Sequence, residues 1–188
     1  MSRPVVVLID YENMRFTPKH AFGTDKIDFS PLLFSELIVA RRKTPSALLQ
    51  TRVYRGMPDP NFDGERNSRD MSRINTWTAD HRVVVITRPL QYVWRNGARV
   101  RFEKGIDVSL AIDLLRHAHS NTDADVVVAS RDSDLNPALE AFVEADRMRR
   151  RIEVVSSHGL ERLRLWNSNK PWCHYLSRED FEAIRDDA

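Results

Sequence analysis

The stretch PVVVLID (4–10) decides the fold, because an apolar run rich in valine stops abruptly at an acid. A run without polar alternation is typical of a parallel strand that is covered on both faces. The chain repeats this pattern at VVVA (126–129), which leads into the acids of SRDSD (130–134). Two such strands predict a parallel sheet with a polar edge where the strands end.

Strands and helices alternate along most of the chain. Further strands are predicted at 47–54, 83–87 and 152–156. Helical patterns are predicted between the strands, at 31–43, 65–79, 105–119 and from Asn136 onwards. Residues 14–30, which contain Pro18 and Gly23, are expected to form a loop. The alternation predicts an α/β fold of three layers, with a mainly parallel central sheet and helices on both faces.

A short hairpin interrupts this alternation. Asn96-Gly97 lies between two segments of strand character, at 92–94 and 98–102. This dipeptide favours a type I′ turn, because both central residues of that turn need a positive φ. We therefore expect a β-hairpin that protrudes from the α/β layers.

The length of 188 residues suits one compact unit. We expect an α/β domain over residues 1–158 and a C-terminal helical extension over 159–188, packed on the same domain. The extension would have one short helix around 160–166 and another from Ser177, where Ser177 and Asp180 can form a capping box.

The cysteine count and the N-terminal sequence indicate the cellular compartment in which the protein is expected. Cys173 is the single cysteine, so no internal disulfide can form, and no spacing of cysteine and histidine resembles a zinc site. The apolar run near the N-terminus is too short for a signal segment or a membrane span. A cytoplasmic protein without a membrane partner is expected.

The basic residues are mostly arginine: of 29 Lys and Arg residues, five are Lys. Arginine grips phosphate with a planar fork of donors and stacks on bases, which favours a nucleic-acid partner more than the net charge of +2 does. A genome rich in G and C would enrich arginine equally well, and both explanations stay open.

Four acids are predicted to form a metal site. Asp10, Asp132 and Asp134 follow predicted strands whose ends open onto one crevice, and Asp107 begins a helix that could face it. Crowded carboxylates repel one another, so they need a hard divalent cation such as Mg²⁺ or Mn²⁺. Asp10, Asp107 and Asp132 would bind it directly or through water. Asp134 would complete the shell or position the attacking water.

Such a site suits phosphodiester hydrolysis, because a bound cation lowers the pKa of its water and neutralises developing phosphate charge. Asn13 would orient Asp10 or a phosphate. Asp113 lies on a different face of the helix that carries Asp107, and is a secondary candidate for support or packing. The alternative is that Asp10 and Asp132 merely cap helices or turns.

Three blocks of the sequence resemble the signature blocks of NYN domains, the PIN-like nuclease family also called LabA-like. They are LIDYENM (8–14), EKGIDVSLAIDLL (103–115) and VVVASRDSDLNPALEAF (126–142). The resemblance implies a PIN-like fold and a metal-dependent ribonuclease, with functional positions at Asp10, Asn13, Asp107, Asp132 and Asp134. The chain departs from the family at Arg131, where a small residue is usual. Arg131 could pair with a carboxylate or grip phosphate.

The hairpin is the predicted RNA-binding element. It carries basic residues beside Asp107, namely Arg95, Arg99, Arg101 and Lys104. Tyr92 and Trp94 could stack on the bases of single-stranded RNA or pack on the domain, and for Trp94 we expect packing.

Three functions remain open at this point. The first is a metal-dependent ribonuclease that cleaves RNA, and the second is a non-catalytic RNA-binding module of the same fold. The third is a phosphatase or phosphotransferase, although DYEN (10–13) lacks the paired nucleophilic aspartates of that class. A homodimer is also possible.

Overall fold

A computed structural model describes residues 2–146, 151–165 and 171–186. Six parallel strands form the central sheet in the order β3-β2-β1-β6-β7-β8, and β4 and β5 form a separate antiparallel pair. The strands are β1 (Arg3–Asp10), β2 (Ser46–Met57), β3 (Val83–Pro89), β4 (Gln91–Arg95), β5 (Ala98–Phe102), β6 (Asp125–Ala129), β7 (Ile152–Ser157) and β8 (Trp172–Leu176). The helices are α1 (Tyr11–Phe22), α2 (Pro31–Ala40), α3 (Gly64–Trp77), α4 (Ile106–Ala118), α5 (Asn136–Ala145) and α6 (Arg178–Ala183).

Central strand β1 divides the hydrophobic core into two layers. Val5, Val7 and Ile9 pack with α1, α2, α3 and α6, whereas Val6 and Leu8 pack with α4 and α5. Successive side chains of a strand point to opposite faces, so an unbroken apolar strand needs a cover on both. The predicted three-layer α/β fold is confirmed.

The predicted hairpin is also confirmed. β4 and β5 pair in antiparallel register, and Asn96 and Gly97 have φ values of 50° and 75° between them. Both turn residues therefore have the positive φ that the Asn-Gly dipeptide favours.

The loop predicted over 14–30 is wrong for its first half, because α1 runs from Tyr11 to Phe22 with Pro18 inside it. An internal proline removes one hydrogen bond and costs about 3 kcal/mol or more. Buried Tyr11 and Met14 contribute the offsetting contacts with the core. Gly23 then ends the helix with φ at 66°.

The C-terminal segment is only partly helical. The helix expected around 160–166 is absent from 160–165, and Trp166 lies outside the described residues. β8 instead extends the central sheet beside β7. The second helix and its capping box at Ser177 and Asp180 are confirmed. The domain division at 158 stays a prediction.

A buried ion network joins the amino ends of the strands. The Arg42 guanidinium contacts Asp125 at 2.6 Å and Glu153 at 2.8 Å, and His174 Nε2 lies 2.7 Å from Glu153. Charge is therefore neutralised locally at this edge of the sheet. Within the described part of the chain, no helix has the length and apolar character to cross a membrane.

Candidate metal and RNA site

Asp10 lies at the carboxyl end of β1 with 7% of its surface exposed, and it caps α1. Its Oδ1 accepts a hydrogen bond from the Asn13 backbone N at 3.2 Å, and its Oδ2 accepts one from Ser130 Oγ at 3.0 Å. Ser130 Oγ also accepts from the Asp132 backbone N at 3.1 Å. One hydroxyl thus links the ends of neighbouring strands β1 and β6.

The electrostatics of Asp10 differ from those of an ordinary cap. Burial raises its pKa to about 6, and the nearby charges of Asp132 and Glu12 act in the same direction. The hydrogen bonds from Asn13 and Ser130 oppose this shift only in part. Arg15 pairs with Glu12 at 2.8 Å, but Asp10 forms no ion pair with a cation of the described residues.

Glu103 is a further acid of this edge that the sequence analysis missed. Its pKa is raised to about 7, first by burial and then by the charges of Glu12 and Asp10. Its Oε1 accepts a hydrogen bond from the backbone N of Gly56, which lies in β2 two residues beyond Tyr54, the residue that pairs with Asp10. A Cβ on Gly56 would lie 2.9 Å from Glu103 Cγ, so the close approach of Glu103 to this backbone N requires a glycine at position 56.

The position of Glu103 in the sequence carried a signal. It directly precedes Lys104-Gly105 within the second signature block, and Glu12 directly follows Tyr11 in the first. Both acids belong to segments already assigned to the site.

Asp132, Asp134 and Asp107 are more accessible than Asp10. Asp132 is half-buried and accepts a hydrogen bond from the backbone N of exposed Asp134 at 3.1 Å. Asp107 is half-buried in the first turn of α4, a helix that contacts the turn at Ser133–Leu135. In residues 2–146, no hydrogen bond joins Asp107 to Asp10 or Asp132.

The described residues contain no group of three His, Cys, Asp or Glu side chains already arranged around one point for a metal ion. The structure brings Asp10 and Asp132 together and places Asp134 beside Asp132. The predicted convergence of Asp107 on the same point stays a prediction.

Asn13 and Arg131 connect α1 to the turn after β6. The Arg131 backbone N donates to Asn13 Oδ1 at 2.9 Å, so the Asn13 side chain holds the turn while its backbone holds Asp10. The Arg131 guanidinium donates to Thr17 Oγ1 at 3.2 Å and lies 3.2 Å from His20 Nδ1. It forms no ion pair with any acid of the described chain.

Asp113 lies away from these acids. Its Oδ2 accepts hydrogen bonds from Tyr54 at 2.9 Å and Arg52 at 2.7 Å. Asp113 therefore fastens α4 to the adjacent sheet face.

An exposed cluster of rings and cations covers one side of the hairpin. We call Phe62, Tyr92, Trp94, Arg99 and Arg101, with Asp63, the hairpin surface. The Arg99 guanidinium lies 4.5 Å from the Phe62 ring centroid and 5.4 Å from that of Trp94. Trp94 is 70% exposed, so the expectation that it packs on the domain is wrong.

The cations predicted to bind RNA differ in their surroundings. Arg101 pairs with Asp63 at 2.9 Å, and the Tyr92 hydroxyl accepts a hydrogen bond from the Asp59 backbone N at 2.9 Å. Arg95 and Lys104 are exposed at the two ends of the hairpin. Cations and ring faces therefore occur together on this side of the molecule, with Arg101 already paired to an acid.

The parallel α/β sheet, with acids at the carboxyl ends of adjacent strands, is consistent with a PIN-like fold. The model of the NYN domain matches residues 4–164, and the chain belongs to this family. The LabA-like subdivision stays a prediction.

A related fold is found in the crystal structure of a protein of unknown function from Vibrio parahaemolyticus RIMD 2210633. Its TM-score is 0.50 at 16% sequence identity, and the alignment covers 83% of this chain and 82% of that chain. At this identity the similarity concerns the fold alone. No curated protein gives a significant match.

Proposed function

We propose that this protein is a divalent-metal-dependent ribonuclease that hydrolyses phosphodiester bonds of single-stranded RNA. The observation that carries the proposal is the linkage of Asp10 and Asp132 through Ser130 at two adjacent strand ends. Neither carboxylate forms an ion pair with a cation in the described ranges of the chain, and the pKa of buried Asp10 is raised to about 6. A cation there would remove the repulsion between them.

The donor set fits Mg²⁺ or Mn²⁺, because all its members offer carboxylate oxygens, the ligands that hard cations prefer. Asp10 and Asp132 would hold the ion, with Asp107 and Asp134 binding directly or through water. A bound ion supplies a water of lowered pKa and stabilises charge on the phosphate. Ser130 and the Asn13 backbone fix Asp10, and Asp134 would complete the ligand shell or orient the attacking water.

The hairpin surface supports RNA as the substrate. Trp94 and Phe62 present rings on which unpaired bases can stack, and Arg95, Arg99, Arg101 and Lys104 can neutralise phosphates. Because stacking needs splayed bases, single strands fit this surface better than a duplex. A homodimer stays a prediction.

The test is cleavage of end-labelled single-stranded RNA by the pure protein with Mn²⁺ or Mg²⁺. We expect cleavage that chelation abolishes and that the double variant Asp10→Asn with Asp132→Asn lacks. The matched control is Asp123→Asn, an exposed acid at the opposite edge of the sheet, which should cleave normally. Full activity in the double variant would refute the proposal.

A second candidate is a non-catalytic RNA-binding module. It is favoured by the lack of a ready metal-binding triad among the described residues. It predicts salt-sensitive RNA binding without cleavage in any divalent metal. Release of inorganic phosphate from a small phosphoester would instead support a phosphatase.

A further inference from the structure

A cavity of about 320 Å³ opens between α1 and the hairpin, and we call it the α1–hairpin cavity. Its lining combines two rings, three cations and two acids: Phe16, Phe102, Lys26, Arg66, Arg101, Glu12 and Glu103. Its volume lies near the lower end of the range for small-ligand sites, roughly 300–1,000 Å³.

The cavity borders the proposed metal site. Glu12, which also lines it, lies in the first turn of the helix that Asp10 caps. Gly56 also lines the cavity. It lies in β2 two residues beyond Tyr54, which pairs with Asp10 of the neighbouring strand β1. The charge of Asp10 also raises the pKa of Glu103 within the cavity. A ligand here would therefore contact Glu12 and Glu103 and lie close to Asp10.

The cations of the cavity differ in how far the protein already neutralises them. Arg66 lies 3.6 Å from Asp70, and Arg101 lies 2.9 Å from Asp63. Lys26 forms no ion pair with any acid of the described chain, and its Nζ lies 5.6 Å from the Phe16 ring centroid. An exposed ammonium over a ring beside an opening can take an anionic group of a ligand.

Arg101 belongs to both the α1–hairpin cavity and the hairpin surface. Arg101 thus connects the exposed rings of Phe62 and Trp94 with the α1–hairpin cavity, which Glu12 and Glu103 also line. One strand of unpaired nucleotides could follow this path from the hairpin to the acids.

We propose that the α1–hairpin cavity binds one unpaired nucleotide of the RNA, next to the phosphodiester bond at the acids. Its base lies against Phe102 and Phe16, and Lys26 and Arg101 contact its phosphates. The proposal rests on the proposed function for the identity of the ligand as RNA. It adds a nucleotide-binding pocket whose rings and cations lie outside the metal site.

Single-nucleotide binding explains the combination of groups better than a peptide does. Rings accept any base by stacking, cations accept the phosphate that accompanies it, and both features recur where proteins bind single strands. An acidic peptide would use the cations and leave the rings without a role.

The test measures affinity for a fluorescein-labelled RNA hexamer, without divalent metal, at several salt concentrations. If Lys26 contacts a phosphate, Lys26→Gln should flatten the dependence of log affinity on log salt by roughly 0.7. Phe102→Ala should weaken binding roughly fivefold or more and leave the salt dependence unchanged, since stacking involves no counterion release.

The matched control is Lys43→Gln. Lys43 also lies over a ring, with Nζ 4.4 Å from the Trp172 centroid, but at the opposite edge of the sheet. Its affinity and salt dependence should equal those of the unchanged protein. Thermal unfolding of each variant establishes that it is folded.

The two proposals fail in different ways. If Lys26→Gln and Phe102→Ala bind like the unchanged protein, the cavity proposal is overturned even where Mn²⁺ supports cleavage. If both weaken binding as expected but no metal supports cleavage, the nucleotide pocket stands and the ribonuclease proposal fails. No hexamer binding by the unchanged protein overturns the pocket.

Discussion

Asp10 combines two roles that make opposite demands on its charge. As the cap of α1 it accepts hydrogen bonds, which favours the carboxylate. As a buried group beside Asp132 and Glu12 it is pushed towards the protonated form, and its pKa rises to about 6. The metal-free protein therefore stores unfavourable charge at the site.

The stored charge predicts a pH dependence of stability. The pKa of Asp10 rises from 3.8 in the unfolded chain to about 6 in the folded one, so the folded state binds the proton more tightly. The contribution of Asp10 to the stability of the metal-free protein should therefore be greatest below pH 4. It should fall by on the order of 2–3 kcal/mol as pH rises through 6. Urea unfolding in a chelator at pH 4.5 to 8 measures this.

A variant and a metal titration test whether Asp10 causes this pH dependence of stability. Asp10→Asn keeps an acceptor for the helix cap but cannot ionise, so it should remove the part of the decline that lies between about pH 4 and 6 and leave the part that Glu103, with a pKa of about 7, contributes. Mn²⁺ should stabilise the unchanged protein at pH 7.5 and act far less on the variant. An equal pH dependence in both proteins would contradict the assignment.

Arg131 predicts a second outcome at the same scale. Since its guanidinium contacts Thr17 and His20 rather than an acid, Arg131→Met should leave Mn²⁺ affinity unchanged. The lost hydrogen bonds should lower the free energy of unfolding by about 1 kcal/mol. Calorimetric titration with Mn²⁺ and urea unfolding measure the two quantities. Tighter metal binding in the variant would mean that Arg131 neutralises the acids after all.

The sequence predicted acids at strand ends but did not reveal all the acids of the site. Asp10 and Asp132 follow buried strands, so topology alone brings them together. Glu103 reaches this edge only because Gly56 offers a backbone N–H and no side chain. Such a contact between distant segments leaves no periodic trace in the sequence.

At the scale of elements, the hairpin carries a prediction about RNA affinity. Trp94→Ala should weaken binding of single-stranded RNA roughly fivefold or more, because an exposed stacking platform is lost. Stability should change by less than about 0.5 kcal/mol, since the ring is 70% exposed. Fluorescence anisotropy and thermal unfolding measure the two.

The matched control for the hairpin is Trp172→Ala, which removes a ring that is 51% exposed at the opposite edge of the sheet. Its RNA affinity should not change. Equal weakening in both variants would show a general loss of aromatic surface rather than a role for the hairpin.

The local sequence pattern predicted most helices and strands. It failed where contacts between distant segments determine the secondary structure. The Asn96-Gly97 turn was predictable because its conformation is a property of two residues. Helix α1 was not, because Pro18 signals a break and only the packing of Tyr11 and Met14 outweighs it. β8 was missed because a strand at the edge of a sheet is specified by the neighbour it pairs with.

At the scale of the whole molecule, the C-terminal segment is a structural part of the α/β unit. Leu176, Phe181 and Ile184 are buried in the core layer that α1 also joins. A chain ending at residue 164, where the family match ends, should lose these contacts and expose the edge of β7. We expect it to aggregate or to melt far below the full chain.

Soluble yield and circular dichroism of the shortened chain test this, with a chain ending at residue 186 as the control. Unchanged melting after truncation at 164 would mean that residues 165–188 form a separable extension.

The pairing of β1 with β6 also has a consequence for synthesis of the chain. Asp10 and Ser130 are separated by 120 positions, so the acidic edge cannot close until β6 has been made and placed beside β1. Pairing between such distant segments is slow to form. A nascent chain that has emerged only as far as the hairpin therefore contains Asp10 but lacks the second strand end that completes the acidic edge.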